Sequence, residues 1–211
     1  MERRKFIKNW YPLVLFIFAL AALNVFGILN ILDNLVNQKI VLIYNPLLDS
    51  IIFFFVKITS VSYAIGFGTL IFLLLLILKR RNSSLIFLLG GGISLAVEYS
   101  LKIIVERARP ENALIGINEF SFPSGHSTIS AFLFLFLIYA FKEDIKNNSL
   151  KLLFIWICVL SFIFIGFTRI YINVHWLSDV LFGFALGISS FFLAKELAEF
   201  YKPFSNKKKC N

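Results

Sequence analysis

Stretches of roughly twenty apolar residues recur along this chain with short polar connectors between them, and that is the length an α-helix needs to cross the hydrocarbon core of a bilayer. About six such windows are present: Tyr11–Leu32, Ile58–Leu78, Ser84–Val105, Ser127–Phe141, Leu152–Phe167 and Leu177–Ala198. Backbone in lipid must satisfy its own hydrogen bonds, so each window is expected as a helix and the fold as an all-α, polytopic membrane bundle. Composition agrees: 59% of the 211 residues are hydrophobic and 26 are phenylalanine, which excludes an ordinary soluble domain. No long polar segment or internal repeat remains, and residues 1–211 read as a single membrane-embedded domain.

The first window follows the basic segment MERRKFIKNW and contains Ala19-Leu20-Ala21, a pattern like a signal-peptidase site. Its apolar run continues through Leu29, Ile31 and Leu32, longer than the core of a cleaved signal, so a retained first helix is expected. The apolar stretch Asn45–Lys57 runs straight into the second window, and the two together are too long for one crossing. A short interfacial helix ahead of the second span is expected there. Cys158 and Cys210 give neither a disulfide framework nor metal-ligand spacing. The terminal KKKCN reads as an anchor for anionic lipid heads. Gly90–Gly92 lacks the spacing of a phosphate loop and reads as a point of close helix packing.

With six spans and both ends on one side, only Lys39, Lys57, Lys102, Arg107, Arg109 and Arg169, of 21 basic residues, fall opposite the termini. The positive-inside rule then puts both termini in the cytoplasm and those six cations outside. Four of the six stand at helix ends near the chain's two histidines, where topology alone would prefer them absent. Three polar clusters carry them: KIIVERARP (Lys102–Pro110), PSGH (Pro123–His126) and RIYINVHWLSD (Arg169–Asp179). Cations, imidazoles, a carboxylate and free amides at a helix start are the groups needed to hold a phosphate and move it.

Taken singly, each cluster has a plainer reading. Pro123 suits a first helical turn and Gly125 lets backbone approach a ligand, yet Pro-Ser-Gly is also a common turn and His126 then only a solvated residue. His175 and Asp179 are four apart, so on a helix the carboxylate could orient the imidazole and leave its other nitrogen to attack; such pairs also cap helices. Arg169 by itself reads as a snorkelling anchor, and Lys102 between Glu98 and Glu106 as a salt-bridge ladder. Arg107 and Arg109, two apart, cannot face one point on a regular helix.

Jointly the clusters resemble the type 2 phosphatidic acid phosphatase (PAP2) family of membrane lipid phosphatases, whose pattern is K-x6-R-P, then P-S-G-H, then S-R-x5-H-x3-D. Lys102 with Arg109-Pro110, then Pro123-Ser124-Gly125-His126, then Arg169, His175 and Asp179 match in order and spacing. The serine before the last arginine is Thr168, which keeps a hydroxyl. The resemblance implies catalytic roles for His175 as nucleophile, Asp179 as its orienting carboxylate and His126 as acid. It further implies that Lys102, Arg109, Arg169 and the Ser124 and Gly125 amides hold the phosphate, with Arg107 a spare, rim-facing cation. No metal or other cofactor is implied. The expected partners are a lipid phosphate and the bilayer, with no nucleic acid and no obligatory protein partner.

Phosphatidylglycerol phosphate, phosphatidic acid, undecaprenyl pyrophosphate and lipid A phosphate all fit such a site, placed on the outer face of a bacterial inner membrane. A phosphatase for small soluble esters and a non-enzymatic anion transporter are the alternatives. A transporter would carry its charges at several depths toward the midplane, whereas here they gather at one interface.

Overall fold

A computed structural model describes residues 29–207 together with Gly27. Most of the Tyr11–Leu32 window, the signal-like Ala19–Ala21 segment, Cys210 and most of the KKKCN tail lie outside these residues. The described residues form seven α-helices and no strand: α1 (Asn30–Ile40), α2 (Pro46–Ile58), α3 (Val61–Ile77), α4 (Arg81–Val105), α5 (Gly125–Phe141), α6 (Asn148–Tyr171) and α7 (Leu177–Lys207). The all-helical class expected from hydropathy is the class observed.

Local chemistry explains the ends. Asn45 accepts a hydrogen bond from the Leu48 amide (2.9 Å) and Pro46 fills the first turn of α2, while Asn147 accepts from the Ser149 and Leu150 amides to start α6. Helix α4 stops because Glu106 adopts a left-handed conformation, φ 48°, turning the chain out of the helix.

Four helical segments are long and apolar enough to cross a membrane: Arg81–Val105, Gly125–Asp144, Asn148–Tyr171 and Leu177–Phe200. The windows depart from this in the first third of the chain. Helix α3 is a shorter apolar helix of 17 residues, separated from α2 by Thr59 and Ser60. Asn30–Ile43 and Pro46–Ile58 meet at a bend of 118°, and a fifth crossing is reached if that bent pair is one span. The helix expected over Asn45–Lys57 is present as α2. The helical stretch α1 before it was not anticipated, because its acid and amides interrupt the apolar pattern.

Helix α5 packs against α4, α6 and α7. Phe132 and Phe136 of α5, Phe191 of α7 and Ile86 of α4 are buried in one cluster. A Cβ on Gly90 would run into the Phe132 ring, which bears out close packing at that glycine, whereas a Cβ on Gly92 would meet nothing within 4 Å. The tighter approach was overlooked in the sequence. Gly183 and Gly187, four apart on α7, lie against the Ser124 and Thr128 carbonyls of α5. This contact sets α7 directly behind the start of α5. At the other end of the bundle Arg80 bridges to Asp144 (2.6 Å) and donates to the Ala140 carbonyl.

Candidate active site

Once α4 has ended at Glu106, the chain crosses the end of the bundle and returns into α5. Three backbone hydrogen bonds pin that crossing: Ser121 N to Arg107 O (2.8 Å), Leu114 N to Ile172 O (2.9 Å) and Ser124 N to Asp179 O (3.1 Å). The Trp176 indole adds a bond to the Ala108 carbonyl (2.9 Å). All three motif segments therefore meet at one end of the bundle.

His175 is 4% exposed and precedes α7, so the one-turn spacing assumed from the sequence is not what pairs it with Asp179. Asp179 stands in the first turn of α7, and its Oδ2 accepts from the Trp176 amide (3.0 Å) and the Ser121 hydroxyl (2.7 Å). His175 Nδ1 lies 3.6 Å from the same oxygen, within ion-pair reach but longer than a hydrogen bond, and has no hydrogen-bond partner. Its Nε2 is 3.3 Å from Arg109 Nη1. A guanidinium can only donate, so this contact favours a lone pair on Nε2 and the proton on Nδ1, facing Asp179. Burial pushes the His175 imidazole below its ordinary value; Asp179 pulls the other way, and Arg109 and Lys102 act with burial. The neutral ring is thereby favoured, with its lone pair turned toward Arg109.

Arg109 is aimed by three carbonyls: Nε donates to Glu119 O (2.7 Å), Nη1 to Val174 O (2.6 Å) and Nη2 to Phe120 O (3.2 Å). Lys102 pairs with Glu98 (3.2 Å) and with Glu119 (2.9 Å). Its hydrogen bond holds the Glu119 carboxyl below the usual carboxylate range. Glu106, the expected second rung of the ladder, is the left-handed residue that ends the helix. Arg169 is 2% exposed and not a snorkelling anchor: Nη2 donates to Thr59 Oγ1 (2.9 Å) and Nε to Thr168 Oγ1 (3.1 Å). The hydroxyl that Thr168 retains is thus one of the two that orient the arginine. His126 sits in the first turn of α5, in the electrostatic neighbourhood of Arg169, His175 and Lys102.

Two expectations are corrected. The Ser124 amide is bonded to the Asp179 carbonyl and unavailable to a phosphate. Gly125 keeps that option, and a Cβ there would come within 2.9 Å of Glu98 Oε1, so the glycine also makes room for that carboxylate. Arg107 is not a rim-facing spare. Its side chain is 14% exposed, with Nη2 2.6 Å from Asp33 and Nη1 2.6 Å from Asp179. The helical geometry used to part the two arginines does not apply past Glu106, although they do face different partners. Asp33, Thr59, Glu119 and Ser121 were missed altogether; the one available signal was a lone acid, Asp33, at the end of an apolar run.

Among the described residues no group of three or more His, Cys, Asp or Glu side chains is placed to hold a metal ion.

The model of the PAP2 superfamily matches residues 83–200, more than half of the chain. Phosphatidylglycerophosphatase B of Bacillus subtilis (strain 168) is 30% identical over 198 residues, covering 92% of this chain and 97% of that protein. The crystal structure of a transmembrane PAP2-type phosphatidylglycerolphosphate phosphatase from Bacillus subtilis superposes with a TM-score of 0.76 at 29% identity, over 90% of this chain and 95% of that one. Aquifex aeolicus LpxE shares the fold, with a TM-score of 0.62 at 23% identity over 78% of this chain and 93% of its own. By the family match and by its likeness along nearly its whole length, the chain belongs to the PAP2 superfamily and is a phosphatase of the PAP2 type.

Proposed function

We propose that this enzyme removes phosphate from a lipid phosphate at the extracytoplasmic face of a bacterial inner membrane, through a phosphohistidine on His175. The observation that carries the reading is the His175 ring, buried with Nε2 toward Arg109 and Nδ1 toward Asp179. The Nε2 lone pair forms the bond to phosphorus as the bond to the leaving oxygen breaks, and His126 gives its proton to that oxygen. Water then attacks the phosphohistidine, His126 takes the proton from the water, and the bond to Nε2 breaks to release inorganic phosphate. Lys102, Arg109, Arg169 and the Gly125 amide are assigned to the phosphate oxygens, where fixed cations neutralise developing charge. Asp179 balances the ring as it becomes cationic.

A lipid substrate is supported by a site at the end of apolar helices, approached past a connector too short to form a separate domain. Phosphatidylglycerol phosphate is the first candidate, because two relatives similar along nearly the whole chain carry that activity in their names. Phosphatidic acid, undecaprenyl pyrophosphate and lipid A phosphate remain in the comparison.

The test is phosphate release by the purified protein in detergent from these four lipids and from a soluble ester with the same head group. Long-chain phosphatidylglycerol phosphate is expected to turn over fastest; preference for the soluble ester would overturn the lipid assignment. Roles are separated with an ester of a nitro-bearing phenol, whose leaving oxygen needs no proton. Read as the first-turnover release of the phenol, which precedes the water step, it is expected to recover most of the 10²–10⁴-fold typically lost with a general acid in His126→Ala and almost nothing in His175→Ala. Rescue of the His175 variant instead would reverse the two assignments.

A further inference from the structure

The carboxylate of Asp33 is 2% exposed, on a helix that carries none of the motif residues. Its Oδ1 accepts from the Ser178 amide (2.8 Å), and its Oδ2 accepts from the Ser178 hydroxyl (2.6 Å) and Arg107 Nη2 (2.6 Å). The other arm of Arg107 donates to Asp179 Oδ1 (2.6 Å) and to Ser178 Oγ (2.7 Å). Trp176 stacks beneath the guanidinium, 5.4 Å from its centre. Asp33, Arg107, Asp179 and His175 thus form one line of contacts, in which the outermost acid touches neither substrate nor imidazole.

We infer that Asp33, acting through Arg107, is a positioning residue for the His175–Asp179 pair and sets the net charge against which His175 reacts. The inference rests on the role proposed above for His175. An arginine alone against Asp179 would cancel it, leaving the imidazole facing a neutral pair. With Asp33 added, the set on the Nδ1 side carries one net negative charge, two carboxylates against one guanidinium. On the Nε2 side stand Arg109 at 3.3 Å and Lys102, with Glu98 and Glu119 as its counter-ions, and His126 on α5. The ring therefore lies between a net negative set on its Nδ1 side and the Arg109 guanidinium in contact with Nε2. That field holds the proton on Nδ1 and the lone pair on Nε2, and it favours the cationic ring that forms when Nε2 bonds to phosphorus. Geometry acts in the same sense: both oxygens of Asp179 are fixed, Oδ1 by Arg107 and Oδ2 by Ser121 and the Trp176 amide.

A plain tether of α1 to α7 would use the same hydrogen bonds, but only the charge argument makes the Asp33 and Arg107 variants act in opposite directions. The chain has two histidines, so His126→Gln leaves His175 as the sole imidazole. In full-length protein labelled with ¹⁵N-histidine and held in detergent, the His175 titration midpoint is read by NMR without substrate. Asp33→Asn, which keeps the size and hydrogen-bonding capacity but leaves the set neutral, is expected to lower the midpoint by on the order of one pH unit, as removal of one charge from a buried cluster does. Arg107→Gln leaves two negative charges and is expected to raise it. The double variant restores one net negative charge and is expected to return the midpoint near that of the parent.

If Arg107→Gln does not fold, Asp33→Asn and the double variant decide the matter between them. Midpoints that do not move, or that move the same way in both single variants, would overturn the inference. In the His126-containing enzyme Asp33→Asn is expected to lower kcat on phosphatidylglycerol phosphate by about ten- to a hundredfold at unchanged KM, the range lost with outer partners of metal-binding histidines. A parental enzyme releasing no phosphate from any lipid would sink the proposed function, while the titration would still report on the charge set.

Discussion

Two arginines from one short motif end in opposite situations, and their substitution should separate substrate binding from stability. Arg109 is oriented by neutral carbonyls and points at the imidazole, and in the proposed reaction its charge serves the phosphate. Arg109→Ala is expected to cut turnover by on the order of a hundredfold or more, as loss of a transition-state donor does, with little change in melting temperature. Arg107 stands between two carboxylates whose side chains are 1% and 0% exposed. Removing it leaves both acids buried without their cation, a change that costs about 3–5 kcal/mol where one partner of a buried pair is deleted. Arg107→Ala is therefore expected to lower the thermal midpoint in detergent well below that of Arg109→Ala. Equal midpoints for the two variants would show that the Asp33–Arg107–Asp179 line does not hold the fold together.

At the level of helices, the site depends on how closely α7 lies behind α5. Gly187 faces the Thr128 carbonyl and Gly183 the Ser124 carbonyl, with Ser127 Cβ also within 2.9 Å of where a Gly183 Cβ would stand. Backbone atoms cannot turn aside as a side chain can, so added volume must separate the helices. Gly187→Ala is expected to destabilise by about 1–3 kcal/mol, the usual range for overpacking. That exceeds the ~1 kcal/mol of helix propensity an alanine gains over glycine. Gly92→Ala on α4, which meets open space, is the matched control and is expected to hold or raise the melting temperature. Helices α1 and α2 act differently: they are bolted across the site end by side chains. Asn37 donates to Asn173 (2.7 Å), Tyr171 to Asp49 (2.6 Å) and Arg169 to Thr59 (2.9 Å), while Asp33 holds Arg107. Helices α1 and α2, of which only the second was expected, thus brace Arg107 and Arg169.

For the molecule as a whole, the motif residues gather at one end of the bundle and the Arg80–Asp144 pair lies at the other. In the proposed topology, which rests on the positive-inside bias, the motif end faces outside. Gly116, in the exposed connector between α4 and α5, has open space around its Cβ position. A Gly116→Cys variant, made in a Cys210→Ser background, is expected to react with an impermeant thiol reagent in intact cells. Cys158 is buried and should stay unlabelled. Labelling of Gly116→Cys only after permeabilisation would put the site on the cytoplasmic side.

What the sequence determined by itself were properties repeated along it or tied to a fixed spacing. Lipid imposes a minimum apolar length on every crossing, so the helices from Arg81 onward were legible to within about four residues at each end except the last, where α7 continues past Ala198 to Lys207. Phosphate chemistry demands particular residue types, so Lys102, Arg109, His126, Arg169, His175 and Asp179 stood out against an apolar background. Tertiary structure alone decided which charges meet. Asp33 and Arg107 are 74 residues apart and Asp33 and Ser178 are 145 apart, and nothing local links them. Their meeting follows from one left-handed residue, Glu106, that sends Arg107 off the helix, and from a 118° bend that lays α1 over the site end. A single backbone dihedral and a single bend leave no periodicity to read, yet they decide whether an arginine faces the imidazole or is locked between two acids.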